Sequence, residues 1–257
     1  MTPLAGRHAL VTGANRGIGA AIARALSRNG AGVSLLVRNA ATAAHVAGSL
    51  GGAHAIVVAD VTDRAASQGA CARAAAALGP IDILVNNAGT AETASFMKSD
   101  AALFQRMVDV HLLAAVHTTH AVLPGMLERG YGHVINVASI AGLVGQAYMT
   151  AYVSAKHAMV GLTRALALEV AARGVAVNAV CPGYVDTDLV TDAARRIAAK
   201  TGRTEAEAVR SILDNAGQPR IVTAEEVAAA VLALCTAPAG TPSGQTIVLD
   251  GTQPTSA

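Results

Sequence analysis

Short runs of Val, Ile, Leu and Ala recur along the chain, apolar at nearly every position, and longer stretches between them return an apolar residue every three or four positions. The runs His8–Thr12, Val33–Val37, Ala55–Ala59, Ile83–Asn86, His133–Ala138, Val175–Val180 and Thr246–Leu249 predict strands. The stretches between them predict helices, with Ile18, Ile22 and Leu26 on one stripe and Leu162, Leu166 and Val170 on another. Gly30 and Gly32 end the first helix, and Gly174 ends the one that carries Tyr152. A strand with no polar face must be covered on both sides, which alternating helices achieve around a parallel sheet. The pattern therefore predicts an α/β fold. Residues 1–257 form one doubly wound domain, a seven-stranded parallel sheet with helices on both faces.

One interval breaks the alternation. Between Val180 and Thr246 the sequence offers no strand, only two polar helical patterns, Thr187–Lys200 and Thr204–Asn215. An excursion of this kind (about residues 186–220), leaving the C-terminal end of a strand, is where open α/β sheets place substrate-covering elements.

Composition sharpens this picture. At 53% hydrophobic and 14% charged, with a mean hydropathy of +0.44, the chain is too apolar for disorder. A domain of 257 residues buries roughly three quarters of its unfolded surface, enough for a large core. Nineteen basic against 17 acidic residues leave a net charge of +2, with no long block of either sign, so a nucleic-acid partner is not expected. Cys71, Cys181 and Cys235 stand too far apart for a local disulfide or metal motif and read as small buried apolar residues. The N-terminal residues lack a leader pattern, and charges or glycines interrupt the apolar stretches short of the roughly 20 residues of a membrane span. A cytoplasmic protein without membrane association is expected.

The first strand runs into Thr12-Gly13-Ala14-Asn15-Arg16-Gly17-Ile18-Gly19. A glycine turn opening a helix lets backbone N–H groups approach a pyrophosphate, so Gly13, Asn15, Arg16, Gly17, Ile18 and Gly19 are candidate ligands of a dinucleotide in a Rossmann-type fold. The second strand ends Val37-Arg38-Asn39, without the carboxylate that would hold a free ribose 2′-hydroxyl. Arg38 and Arg16 instead offer two guanidinium forks to a 2′-phosphate, which predicts NADP(H) ahead of NAD(H). Asp60 and the Val61 N–H are candidates for the adenine, and Asn86-Asn87-Ala88-Gly89 for close approach to a ring or ribose.

Ser139 closes the fifth strand. Tyr152 and Lys156 follow at a separation of four residues, which on a helix puts both side chains on one face. A nearby ammonium favours the phenolate, so Lys156 is expected to lower the tyrosine pKa and tune Tyr152 for proton exchange with a carbonyl or alcohol oxygen. Ser139 would donate a hydrogen bond to that oxygen.

Together these motifs resemble the short-chain dehydrogenase/reductase family over nearly the whole chain: the Thr12–Gly19 turn, Asn86-Asn87-Ala88-Gly89, Ser139 with Tyr152-Val153-Ser154-Ala155-Lys156, Asn178 with Pro182-Gly183, and Asp250-Gly251. The resemblance implies that Tyr152 is the general acid/base, that Ser139 positions the substrate oxygen and that Lys156 also binds the nicotinamide ribose. It further implies that Asn86 and Ala88 line the cofactor cleft and that Pro182, Gly183, Val185 and Thr187 hold the nicotinamide end. It implies a homotetramer, and likeness to the NADP-preferring branch through Arg16 and Arg38. His111 stands where the family usually carries an asparagine that assists a proton-relaying water, which makes it a fourth candidate catalytic residue.

His111, His117 and His120 do not complete a tetrahedral metal set with any nearby acid or thiol, and no metal is expected. In the excursion Arg195, Arg196, Lys200, Arg203 and Arg210 suit the phosphates of a coenzyme A or carrier-protein thioester. Tyr148, Met149, Val185, Leu189 and Val190 would then line its acyl pocket. The expected activity is NADP(H)-linked interconversion of a ketone and a secondary alcohol, with a 3-oxoacyl thioester as the leading substrate. A small cyclic or aryl secondary alcohol is the alternative. A nucleotide-binding regulatory protein without turnover is the alternative of another class.

Overall fold

The structure is a computed structural model that describes residues 2–237 and 243–253. In chain order the elements are β1 (His8–Thr12), α1 (Gly17–Arg28), β2 (Gly32–Val37), α2 (Ala44–Gly48), β3 (His54–Val58), α3 (Arg64–Leu78), β4 (Ile83–Asn86), α4 (Ala101–Val108) and α5 (Ala114–Arg129). They continue with β5 (Gly132–Val137), α6 (Thr150–Val170), β6 (Val175–Pro182), α7 (Asp188–Thr201), α8 (Glu205–Ala216), α9 (Ala224–Thr236) and β7 (Thr246–Leu249). The strands join one sheet in the order β3-β2-β1-β4-β5-β6-β7, and every pairing is parallel.

Alternation along each strand explains the two layers. Ala9 and Val11 of β1 face a cluster with α1, α2 and α9, whereas Leu10 between them faces one built with α3, α5 and α6. A side chain fully buried on either face, such as Leu35 on the first and Leu10 on the second, contributes roughly 1.5–3 kcal/mol relative to exposure. Cys71, Cys181 and Cys235 are free and buried, as their spacing predicts.

Several boundaries differ from the sequence pattern. Gly32 opens β2 rather than ending α1, and a third helix, α9, follows the excursion and packs on α1. The two excursion helices begin one residue later than predicted, because Thr187 and Thr204 serve as N-caps. On α6 the fully buried positions include Met159, Val160, Thr163, Ala167 and Val170, with Leu162 and Leu166 half-buried beside them. Small residues there let the helix lie close to the sheet.

A π-helical turn at Asp109–Leu113 joins α4 and α5 into one helix over Ala101–Arg129. By length and composition alone this helix could cross a membrane, contrary to the expectation that every apolar stretch is too short. Here it carries buried Met107, His111, Thr118 and Met126 and packs against α3 and α6.

Candidate active site

The strand order reverses between β1 and β4, and the C-terminal ends of the strands open there into one cleft of about 1170 Å³. Open α/β sheets bind ligands at this switch point.

The first wall is the glycine turn. Gly13 has φ 64°, a left-handed conformation that favours glycine, and a Cβ there would meet Ala88 Cα at 2.9 Å. A Cβ on Gly19 would overlap the Gly13 carbonyl and lie 2.5 Å from Asn87 Nδ2. Arg16 precedes α1 without a side-chain cap, so the first N–H groups of that helix point into the cleft. An anion is the natural complement of such a helix end.

Thr12, which sequence reasoning left out of the site, locks this wall to β4. Its Oγ1 accepts from the N–H groups of Asn87 and Ala88, both at 2.9 Å. Asn87 Nδ2 donates back to the Thr12 carbonyl at 3.0 Å. Asn87, Ala88 and Gly89 line the cleft; Asn86 does not. Asn86 is buried, donating to Asn136 Oδ1 at 2.9 Å and accepting from Thr118 Oγ1 at 2.7 Å, so its amide braces β4 against β5 and α5.

At the far end Arg38 is exposed and faces Asp60 and Val61 across the cleft lining. Asp60 Oδ1 accepts from the Thr62 N–H at 2.9 Å and the Thr62 hydroxyl at 2.7 Å. Those bonds, more than Arg38, hold its carboxyl below the usual carboxylate range. Arg16 turns the other way, to Asp188 Oδ2 at 2.9 Å.

The second wall carries Ser139, Tyr152 and Lys156, which the helix α6 and the end of β5 bring together in the cleft. Lys156 is buried; its Nζ donates to the Val137 carbonyl at 2.9 Å and lies 5.7 Å from the centre of the Tyr152 ring. Ser139 Oγ accepts from the Ala141 N–H at 3.1 Å, which fixes the serine at the strand end. His111 stands edge-on to Tyr152, ring centres 5.1 Å apart at 89°. Its Nε2 donates to the Thr90 carbonyl at 2.7 Å, leaving Nδ1 as a buried lone pair without a partner among the described residues.

Pro182, Gly183, Val185 and Thr187 line the cleft beyond β6. Gln218, another residue the sequence did not signal, holds this exit. Its Oε1 accepts from the Tyr184 N–H at 2.7 Å and its Nε2 donates to the Tyr184 carbonyl at 2.9 Å. A Cβ on Gly183 would collide with the Gln218 amide.

This arrangement is matched by the pattern of the family described as short chain dehydrogenase, over residues 7–198. The chain belongs to the short-chain dehydrogenase family. Its relatives include a D-beta-hydroxybutyrate dehydrogenase of Rhizobium meliloti (strain 1021), 37% identical over 252 residues, covering 95% of this chain and 97% of the relative. An acetoacetyl-CoA reductase of the same organism is 37% identical over 255 residues, covering 96% and 98%. The crystal structure of levodione reductase superposes with a TM-score of 0.88 at 30% identity, covering 96% of this chain and 97% of that one. This short-chain dehydrogenase is therefore an oxidoreductase of CH–OH groups that uses a nicotinamide cofactor. The uncapped α1 terminus and the glycines with no room for a Cβ fit such a dinucleotide.

Within the dehydrogenase, three expectations need correction. The Tyr152 pKa is raised rather than lowered. Burial pushes it up to about 12, with the Ser139 hydroxyl opposing, while the same burial takes Lys156 down to about 8. Desolvation of the phenolate outweighs an ammonium that is itself buried and aimed at the Val137 carbonyl. Tyr148 does not line the cleft; with φ 63° its backbone carbonyl accepts from the Ala94 N–H at 2.9 Å and its side chain is 68% exposed. Met149 and Val190 do line the cleft, and the Leu189 side chain lies outside the described residues. None of Arg195, Arg196, Lys200, Arg203 and Arg210 reaches the cleft lining; Arg195 pairs with Asp192 and Glu205, and Arg210 with Asp214. Among the described residues no group of three or more His, Cys, Asp or Glu is arranged to hold a metal.

His111 also explains a neighbouring glycine. A Cβ on Gly89 would lie 2.6 Å from His111 Cε1, with the ring confined on its other side by Tyr152. Gly89→Ala is therefore expected to displace the buried imidazole, lower kcat about tenfold and lower the melting temperature, because overpacking against a confined ring costs about 1–3 kcal/mol. Steady-state kinetics alongside a thermal melt checks this; unchanged kcat would show that the ring position does not matter.

Proposed function

We propose that this dehydrogenase reduces a small, uncharged ketone to a secondary alcohol with NADPH, and runs reversibly. The observation that carries the reading is the meeting of Ser139, Tyr152 and Lys156 at one end of a single cleft whose other end presents Arg38 and no carboxylate from β2. A bound reduced nicotinamide, held by the residues named below, would supply the hydride to the carbonyl carbon. Tyr152 gives its phenolic proton to the carbonyl oxygen as charge develops there, and the Ser139 hydroxyl donates a hydrogen bond to the same oxygen. Lys156 supports reprotonation of the phenol, and His111 takes the relay role through Nδ1, the ring nitrogen not occupied by Thr90. Cofactor residues in this reading are Gly13, Asn15, Arg16, Gly17, Ile18, Gly19, Arg38, Asp60, Val61, Asn87, Ala88, Gly89, Tyr152, Lys156, Pro182, Gly183, Val185 and Thr187, all of them on the cleft.

The substrate end favours a neutral molecule. Met149, Tyr184, Val190 and Gln146 line it, and Arg106 is bonded to Glu92 at 3.0 Å. A 3-oxoacyl thioester is the second reading, favoured by likeness to a relative named acetoacetyl-CoA reductase. Comparing a 3-oxoacyl-CoA with a short ester of the same 3-oxo acid decides between them: similar kcat/KM supports the first, and a preference above tenfold for the thioester supports the second. NADPH consumption with either substrate rules out the regulatory alternative, whereas binding without turnover would favour it.

Charge-assisted bonds to a phosphate are each worth about 1.5–3 kcal/mol. Arg38→Asp is thus expected to raise the KM for NADPH at least tenfold and leave that for NADH within about threefold. Equal KM values for the two cofactors in the parent enzyme would remove the NADP assignment.

A further inference from the structure

The glycine turn and the covering helices touch across the cleft. Arg16 Nη1 donates to Asp188 Oδ2 at 2.9 Å, joining positions 172 residues apart. Beside this pair, Thr187 Cγ2 lies 3.2 Å from where a Cβ on Gly17 would stand. Arg16 immediately precedes α1 and Asp188 is the first residue of α7, and both belong to the lining of the one cleft. Their side chains remain 70% and 66% exposed, so the pair contributes little to holding the fold. An ion pair with so small a structural role, set between the turn that faces a pyrophosphate and the helix that covers the site, is placed to open and close. The remaining contacts of α7 are mainly with α8, and Val185 beneath it is held by a bridge to Val222. The lid thus has its own support and meets the first wall at this point.

We propose that Asp188 is a positioning residue which, through Arg16, clasps the covering helix α7 to the glycine turn and so retards escape of the bound dinucleotide. The clasp rests on the assignment of a nicotinamide cofactor to this cleft, but not on NADP over NAD. Lid opening that governs product release is a common limit on turnover. The mechanism here is electrostatic: removing the Asp188 charge lets α7 part from the turn more readily.

The test is the dissociation rate of NADPH and of NADH, followed by fluorescence after chasing the bound cofactor from the full chain. Asp188→Asn is expected to speed release of both about three- to fivefold, which matches the strength of an exposed pair. Asp188→Glu restores the slow rate, because the carboxylate still reaches Arg16. Raising salt speeds release from the parent protein by a larger factor than from Asp188→Asn, in which only the contacts to the dinucleotide itself remain to be screened. A merely structural role for Asp188 at the α7 terminus would lower the melting temperature without producing this salt difference. Release from Asp188→Asn at the parent rate overturns the clasp, and slower release would show Asp188 competing with the cofactor for Arg16. A parent protein that binds neither dinucleotide overturns the functional assignment itself, and the clasp with it.

Discussion

Tyr152→Phe is expected to lower kcat about 10³-fold while leaving the affinity for the dinucleotide within about twofold, since a positioned general acid contributes roughly 10²–10⁴. The substitution removes one oxygen and preserves the ring that stands edge-on to His111. Burial holds the phenol protonated up to about 12, so the proton donor for carbonyl reduction is present throughout the neutral range. Alcohol oxidation needs the phenolate instead, and its rate should climb with pH across that range while reduction changes little. Rates in both directions, together with a fluorescence titration of NADPH, check these outcomes. Reduction retained in Tyr152→Phe at more than a tenth of the parent rate would falsify the assignment of Tyr152 as the acid.

Lys156→Met is expected to abolish turnover and at the same time to stabilise the ligand-free protein near pH 7. The side chain is buried and its ammonium, with a single hydrogen bond to the Val137 carbonyl, is poorly compensated for lost water. The unfolded chain keeps the proton up to the ordinary lysine value of 10.5, whereas the folded protein releases it at about 8. Between those values the unfolded state binds more protons, so stability rises with pH through the window; below about 8 the cost of the buried charge is fully present. That difference corresponds to about 3 kcal/mol, reduced to about 1–2 kcal/mol by the loss of the bond to Val137. Urea melts of parent and variant from pH 7 to 9.5 test the sign. The parent should gain stability relative to Lys156→Met as pH rises, on a background that the buried thiols Cys71 and Cys235 lower equally in both, and parallel curves would show that Lys156 is not the group responsible.

These expectations rest on an opposition between stability and function at one site. An apolar side chain at position 156 would avoid the cost of burying an ammonium held by a single hydrogen bond, and the charge is retained where the proposed chemistry uses it. The same opposition appears at His111, whose Nδ1 is buried without a partner among the described residues. Both side chains line the cleft.

How legible the molecule was depended on the range of the interaction. Strands apolar at nearly every position announced a parallel sheet, and the Tyr152–Lys156 spacing followed from helical geometry, because both are local properties of the chain. The glycine turn was legible for the same reason: Gly13 and Gly19 are needed by the backbone of their own segment. Asn86 misled because a polar residue beside a glycine motif looks alike whether it faces a ligand or, as here, Asn136 and Thr118. Gln218 gave no signal, since its value lies in reaching back to Tyr184.

The sequence by itself determined the parallel sheet, the place of the first turn and the set Ser139, Tyr152 and Lys156, because periodicity and short-range spacing encode them. Only the tertiary structure decided the sign of the Tyr152 shift, the separation of the excursion's arginines from the cleft and the Arg16–Asp188 contact. Desolvation and charge pairing depend on which distant segments close over a group, and the order of residues along a chain does not carry that information.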